Sequence, residues 1–320
     1  MKDMRMSTEK NRKTGDSQDI LVTGGTGLIG RRIAERLANN GHPVRVLTRK
    51  ERKSAHPGIR FFNGDLLDRD TVETSMAGCR AVFHCAAELR DTENMEAVNI
   101  LGTENVYSAA SKERVRFFCY LSSVGVIGRV RASIVDENTP CHPMNRYEIT
   151  KLRGEEIVGS GLDNCHTVIL RPTNVFAEER FEAQSYRSLR EVLRVMLTGR
   201  ENAHLVYADD VADAAVYLFV NSKKTEVERF IVSSDEEPGN TAGEVYSLVR
   251  GLLGYKAAPL MFHMPIRLSY YVRLFRYGYG NRGNVLYSSR HLFSTGFKMT
   301  FGFKEGLRRV VDHYLNKRRG

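Results

Sequence analysis

The sequence predicts an α/β protein built on a doubly wound parallel sheet, with a smaller, mostly helical substrate-binding lobe on its C-terminal side. Three observations carry this. Short β-branched runs alternate with longer helical stretches from Ile20 to about Pro172, which is the rhythm of βαβ units. Each run is apolar at nearly every position, as in strands covered by helices on both faces. A glycine-rich turn directly follows the first run.

The 320 residues allow one large domain and a smaller lobe. With 42% hydrophobic and 27% charged residues, the composition excludes wholesale disorder. No run approaches the roughly 20 apolar residues of a spanning helix. The N-terminal residues 1–19 are charged without an apolar core, so a cytoplasmic protein with a loose leader is expected. Cys79, Cys85, Cys119, Cys141 and Cys165 are odd in number and form no CxxC pair. They indicate neither a disulfide framework nor a metal site.

Strands are expected at 20–23, 44–48, 59–63, 81–85, 117–121 and 167–170. Gly41-His42-Pro43 ends the first helix, because glycine accepts the left-handed conformation and proline cannot continue the helical ladder. Asp68 caps the next helix, which runs to Gly78. After Thr173 the rhythm breaks into a charged, helical-looking stretch at 177–199, apolar runs at 205–220 and 230–232, and a basic, helix-rich remainder. Residues 20–176 with 205–235 are therefore assigned to a dinucleotide-binding domain, and 177–204 with 236–320 to the substrate-binding lobe.

The turn Gly24-Gly25-Thr26-Gly27-Leu28-Ile29-Gly30 lies between the first strand and first helix, the context of a Rossmann-type phosphate site. Gly24 permits the tight turn, Gly27 lets backbone approach a pyrophosphate, and Gly30 lets helix and strand pack closely. Free N–H groups at the helix start, around Thr26, Leu28 and Ile29, would face the phosphates. An ATP-type P-loop is excluded, because no Gly-Lys-Ser/Thr ending is present. At the end of the second strand, Thr48 is followed by Arg49, with Lys50, Arg52 and Lys53 nearby. An arginine there accepts a 2′-phosphate, whereas an acid would bond the ribose, so NADP(H) is preferred and NAD(H) is the alternative. Asp65, after the third strand, caps a turn or touches the adenine.

Ser122-Ser123 sits at the carboxyl end of a strand, where open α/β sheets place ligands. Tyr147 and Lys151 follow at helical spacing i and i+4, and so share a face. A phenol has a free pKa near 10, and bringing it to about 7 takes roughly 4 kcal/mol. An ammonium about 4 to 5 Å away supplies about that at an effective dielectric near 20. Lys151 is thus expected to activate Tyr147 as proton donor and acceptor, with Ser123 holding the same substrate oxygen and Asn99 supporting the network. A Tyr-Lys pair alone is commonplace. The ordered set of glycine turn, serine pair and Tyr-Lys helix is not. A Ser-His-Asp hydrolase is disfavoured by the lack of a Gly-x-Ser-x-Gly elbow, and His84, at a strand end, is read as a structural or cofactor-side histidine.

The net charge of +10 is concentrated near the C-terminus, where residues 256–319 hold thirteen Lys/Arg against Glu305 and Asp312. Tyr270, Tyr271, Phe275, Tyr277 and Tyr279 are interleaved with these cations. A solvated surface is the plainer reading, and attraction of RNA, of acidic lipid through weak contact with a membrane surface, or of a phosphorylated substrate is the alternative. No specific nucleic-acid site is expected.

These residues resemble, in order, the extended short-chain dehydrogenase/reductases, the NAD-dependent epimerase/dehydratase family. The match runs through residues 23–30, Gly64-Asp65-Leu66, His84-Cys85-Ala86-Ala87, Asn99 with Gly102-Thr103, Ser122-Ser123, Tyr147 to Lys151, Arg171-Pro172-Thr173-Asn174 and Asp209-Asp210-Val211-Ala212. The resemblance implies catalytic Ser123, Tyr147 and Lys151. It also implies cofactor contacts from Leu66, Ala86, Ala87, Asn99, Ser122, Pro172 and Thr173, and often a homodimer. Asn174 takes the position where nucleotide-sugar members meet the diphosphate. Ala203 departs from that pattern, standing where many such members carry a phosphate-binding arginine, and Arg200 is the candidate to compensate. Val124-Gly125 replaces the acid pair of the dehydratases, which leaves reversible hydride transfer.

The first expectation is a nucleotide-sugar keto-reductase or C4 epimerase. The alternative is a dehydrogenase or reductase of an apolar alcohol or ketone, of the steroid or flavonoid kind. A non-catalytic dinucleotide-binding protein is the third. Phosphate-binding cations in the second lobe would favour the first, and an apolar funnel the second.

Overall fold

The computed structural model describes residues 19–130, 132–256, 263–277 and 285–318. Residues 1–18 of the leader expected at 1–19 lie outside them, as do Tyr279 and much of the basic tail's connecting chain, whereas Asp19 belongs to the fold, buried and paired with Arg45 and Arg60. Seven parallel strands form the central sheet: β1 (Ile20–Thr23), β2 (Val44–Thr48), β3 (Ile59–Asn63), β4 (Ala81–His84), β5 (Phe117–Leu121), β7 (His166–Pro172) and β10 (Val227–Val232). Their spatial order is β10-β7-β5-β4-β1-β2-β3. The sequence reverses direction beside β1, which opens a crevice at the carboxyl ends of β1 and β4. Two small parallel pairs complete the strands described, β6 (Ile134–Val135) with β11 (Leu286–Tyr287) and β8 (Asn174–Phe176) with β9 (Leu205–Tyr207).

Helices cover both faces, which explains the near-continuous apolar strands. On one face, α1 (Leu28–Asn39) and α6 (Ala208–Val220) pack Ile33, Leu37, Val211 and Ala215 against Val22, Val46 and Phe83. On the other, α2 (Arg69–Met76), α3 (Gly102–Lys112) and α4 (Arg146–Val158) pack Val72, Val106, Ala110 and Val158 against Leu21, Val82 and Phe118. Asp68 caps α2 as expected, accepting from the N–H groups of Asp70 and Thr71 at 3.1 and 3.4 Å. Gly41 follows α1 with φ +83.

The second lobe gathers α5 (Leu189–Thr198), α7 (Ala242–Leu252), α8 (Ile266–Tyr277) and α10 (Gly302–Lys317). Val245, Val249, Phe303, Leu307 and Val311 form its own core. The boundary expected at 236 is not a clean cut. Leu292, in the short α9 (Arg290–Ser294), and Phe297 are buried in the core of the main sheet. Apolar periodicity shows that a face is buried, but not which core receives it.

Two devices tie the lobe to the sheet. Buried Asp210 in α6 accepts from the N–H groups of Phe301 and Gly302, at 2.9 and 3.0 Å, at the start of α10. Arg32 of α1, its side chain 7% exposed, reaches Glu178 at 2.8 Å, Glu179 at 3.0 Å and Asp209 at 2.9 Å. Arg36 pairs with Asp209 and Asp213 one turn on. The 178–180 turn is thus fastened to the cofactor-side helix by charge rather than by packing. Removing one partner of a buried pair leaves the other desolvated and unpaired. Arg32→Ala is expected to lower unfolding stability by about 3 kcal/mol, read as a lower midpoint in urea with an unchanged slope.

Candidate active site

A cleft of about 700 Å³ opens at the carboxyl ends of the strands. Its floor begins with the turn after β1. Gly24 has φ +65, and a Cβ there would lie 2.6 Å from the backbone nitrogen of Ala86. A Cβ on Gly30 would lie 2.4 Å from the carbonyl oxygen of Gly24. Both glycines are therefore required by close backbone approach. The start of α1 has no side-chain cap, so its first-turn N–H groups remain available to an anion.

The cleft brings together Gly24, Thr26, Gly27, Leu28, Ile29, Gly30, Arg49, Asp65, Leu66, Ala86, Ala87, Ser122, Ser123, Tyr147, Lys151, Pro172, Thr173 and Asn174. Asp65 closes a local turn by accepting from Leu67 N–H at 3.0 Å. Arg49 is exposed at the rim beside Lys50 and Arg52, and among the described residues no carboxylate pairs with these three. The glycine cradle, uncapped helix start and rim cations fit a dinucleotide.

Asn99 does not line the cleft. It is buried in a π-helical turn at Ala97–Leu101, where its amide accepts from Glu88 N–H at 2.7 Å and donates to Glu88 O and Thr150 Oγ1, both at 3.0 Å. It joins the 86–88 loop to the Tyr147 helix, so its role is support rather than contact. Of the two readings of His84 the structural one fits: it does not line the cleft and is buried between Thr23 Oγ1 at 2.6 Å and Thr103 Oγ1 at 2.9 Å. Burial and the nearby Lys151 lower its pKa to about 3, which keeps it neutral.

The two serines divide their work. Ser122 points inward and donates to Glu155 at 2.5 Å, whereas Ser123 accepts from Gly125 N–H at 3.1 Å and keeps its own proton for a partner in the cleft. Glu155 was not singled out in the sequence. It lies four residues beyond Lys151 on the same helical face, is 2% exposed, and also holds Arg171 at 2.6 and 2.9 Å. Arg180, also missed, lines the cleft near Tyr147. Only the fold brings the 178–180 turn there.

The expected activation of Tyr147 by Lys151 is not present in this geometry. Burial, with Glu148, pushes the Tyr147 phenol above its ordinary value, and the cation that opposes this is Arg180. Lys151 is fully buried, with Nζ 4.1 Å from the centre of the Tyr120 ring. Desolvation lowers its pKa to about 7 against the pull of Glu155. Helical spacing placed both residues on one face but could not show which way the lysine turns.

The family model for the NAD dependent epimerase/dehydratase family matches residues 20–232. The chain belongs to that family. A ketoreductase of Stigmatella aurantiaca acting on 4-hydroxy-2-methyl-3-oxo-4-farnesyl-3,4-dihydroquinoline-1-oxide is 31% identical, over 72% of this chain and 67% of its own. A protein of Methanocaldococcus jannaschii named "Putative UDP-glucose 4-epimerase" is 26% identical over 94% of this chain and 99% of its own. Among solved structures, the UDP-glucose 4-epimerase of Thermotoga maritima with UDP-glucose superposes with a TM-score of 0.71 at 22% identity, over 94% of this chain and 99% of its own. The NAD and UDP complex of Bordetella bronchiseptica WbmG gives 0.72 at 21%, over 93% and 95%. This chain is accordingly an extended short-chain dehydrogenase/reductase, with the fold that those structures share.

Within this family frame, a second pocket of about 410 Å³ adjoins the cleft at Asn174. Arg200 is not in it. That side chain lines a separate depression with Thr241, Glu244 and Ser247, so it does not stand in for Ala203. The arginine that does line the second pocket, Arg194, is held by both carboxylate oxygens of Glu191 at 2.6 and 2.9 Å. Tyr186, Tyr246, Leu205 and Val245 supply aromatic and apolar wall, with Glu201 and a His204–Asp235 pair at 2.6 Å.

Lys151 titrates at about 7 folded and near 10.5 when unfolded. Between those values the unfolded chain binds more protons, so the lysine's contribution makes the fold more stable as pH rises. Lys151→Met removes that dependence. Without added dinucleotide, the melting temperature of the variant relative to wild type is expected to be higher at pH 6.5 than at pH 9, by thermal melts in parallel buffers.

Proposed function

We propose that this enzyme reduces a ketone, and reversibly oxidises the corresponding secondary alcohol, with NADP(H) as the preferred dinucleotide. The observation that carries this is the meeting of Ser123, Tyr147 and Lys151 with the glycine turn in one cleft. When bound, the dinucleotide supplies or accepts the hydride. Gly24, Gly27 and Gly30 with the start of α1 would hold its phosphates, and Arg49 with Arg52 would meet a 2′-phosphate.

Tyr147 keeps its proton at neutral pH because burial raises its pKa. That is the state required to protonate a carbonyl oxygen as it becomes an alkoxide. Ser123 donates to the same oxygen and fixes its position. Lys151, near 7, lines the same cleft and would exchange a proton with groups bound there. The direction favoured by these residues is reduction.

The adjoining pocket supports an uncharged substrate with an apolar part, because its arginine is already paired and Tyr186, Tyr246, Leu205 and Val245 line it beside Thr198, Asn202 and His204. A nucleotide sugar is the second reading, favoured by Asn174 and Arg180 in the main cleft. Turnover of cyclic and aliphatic ketones but not UDP-sugars is the expected result, and the reverse would transfer the assignment to the second reading.

Tyr147→Phe is expected to lower turnover at least about 100-fold while leaving dinucleotide affinity within about twofold. Arg49→Ala is expected to weaken NADPH binding about tenfold, the loss of one charge-assisted contact, with NADH unchanged. Titration of both variants with both dinucleotides checks the pair. Equal loss for NADH would remove the 2′-phosphate assignment.

A further inference from the structure

We propose that α8 docks this enzyme onto an anionic lipid surface. The helix turns its apolar side outward. Leu268, Tyr271, Val272 and Phe275 recur at i, i+3, i+4 and i+7, and are 51%, 63%, 37% and 97% exposed. Among the described side chains of α8 the one fully buried is Ser269, which anchors the opposite face by donating to Glu201 at 2.5 Å. An apolar stripe on a helix of a globular protein normally faces the core. Here the described inward contacts are Ser269 with half-buried Ile266 and Tyr270, and solvent meets the stripe.

Charge identifies the occupant. From residue 245 to residue 304 the chain has nine Lys/Arg and no Asp or Glu, with Arg267, Arg273 and Arg276 inside α8 itself. A second copy of this chain would set two such segments against each other, like charge on like. An anionic bilayer complements the charge and accepts the aromatic and leucine side chains at its headgroup boundary. The helix is not long or apolar enough to span: no described helix meets that condition. It therefore lies in the interface rather than across the bilayer.

The neighbouring α5 has the same character. It packs on α8, and Leu189 and Leu193 are 73% and 56% exposed one turn apart. Both helices contribute to the environment of the second pocket, through Glu191 and Arg194 of α5 and through the Glu201 that Ser269 grips. Docking at α8 would set that pocket close to the lipid. The proposal stands apart from the substrate reading, since it rests on α8 and its charge rather than on the pocket's chemistry.

The chain has no tryptophan, so Phe275→Trp places a single indole at the C-terminal end of the stripe, on its most exposed position. Full-length protein carrying it is titrated with phosphatidylcholine vesicles containing, or lacking, about 30% phosphatidylglycerol, a composition giving strong negative surface potential. A blue-shifted emission and quenching by brominated acyl chains are expected with anionic vesicles, with affinity at least about tenfold weaker for neutral ones and falling with salt. In vesicle flotation, Leu268→Glu/Phe275→Glu is expected to lose at least about 90% of bound protein, while dinucleotide affinity and melting temperature stay at wild-type values. Unshifted emission with anionic vesicles would overturn the proposal, as would equal binding to neutral ones. So would a concentration-dependent dimer, or a complex with polyribonucleotide, lost in the double variant while vesicles fail to bind wild type.

Discussion

The candidate active site depends on one buried carboxylate. Glu155 accepts from Ser122 at the end of β5 and from Arg171 in β7, so it clamps α4 to two adjacent strands. Tyr147 and Lys151 are carried by that same helix, two turns and one turn before it. A carboxylate with 2% exposure persists only when its lone pairs are satisfied, and here a guanidinium and a hydroxyl do so. The same charge opposes the desolvation of Lys151. One group therefore fixes both the position of the reactive side chains and part of the field in which they titrate.

A second electrostatic cluster acts at the other side of the cleft. Arg32 and Arg36 bind the carboxylates of Glu178, Glu179, Asp209 and Asp213, linking α1 to α6 and to the turn that delivers Arg180. The glycine turn is thus braced from above by packing against Ala86 and from the side by ion pairs. A rigid anion cradle needs both, because backbone N–H groups bind phosphate well only when they are held in place. Arg180 is the consequence of this bracing with the most bearing on chemistry, as the cation that faces Tyr147.

The two lobes differ in how their surfaces are spent. Both lobes leave some large apolar side chains in solvent, but the three most exposed among the described residues, Phe275, Leu189 and Tyr271, lie on α5 and α8. The basic, acid-free stretch at 245–304 overlaps that exposed face. Composition localised the charge, but the interleaved aromatic residues could equally have been core. The exposure of Tyr271 and Phe275 accompanies an opposite face anchored by Ser269 on Glu201.

By itself the sequence determined the sheet, since both-face burial leaves an unmistakable continuous apolar signature, and it determined the phosphate turn, where steric demand admits glycine alone. The serine pair and the Tyr147–Lys151 helix were legible for the same reason: each is a local pattern with a fixed geometric consequence. The seventh strand, β10, was visible only as a short apolar run, because its edge position admits Glu228 and Arg229. What tertiary structure decided were contacts between distant segments. It turned Lys151 toward Tyr120, withdrew Asn99 into a supporting role, sent Arg200 to another surface, brought Arg180 into the cleft and folded Leu292 and Phe297 back onto the sheet. None of these has a local signature, since the energy of each depends on partners dozens of residues away.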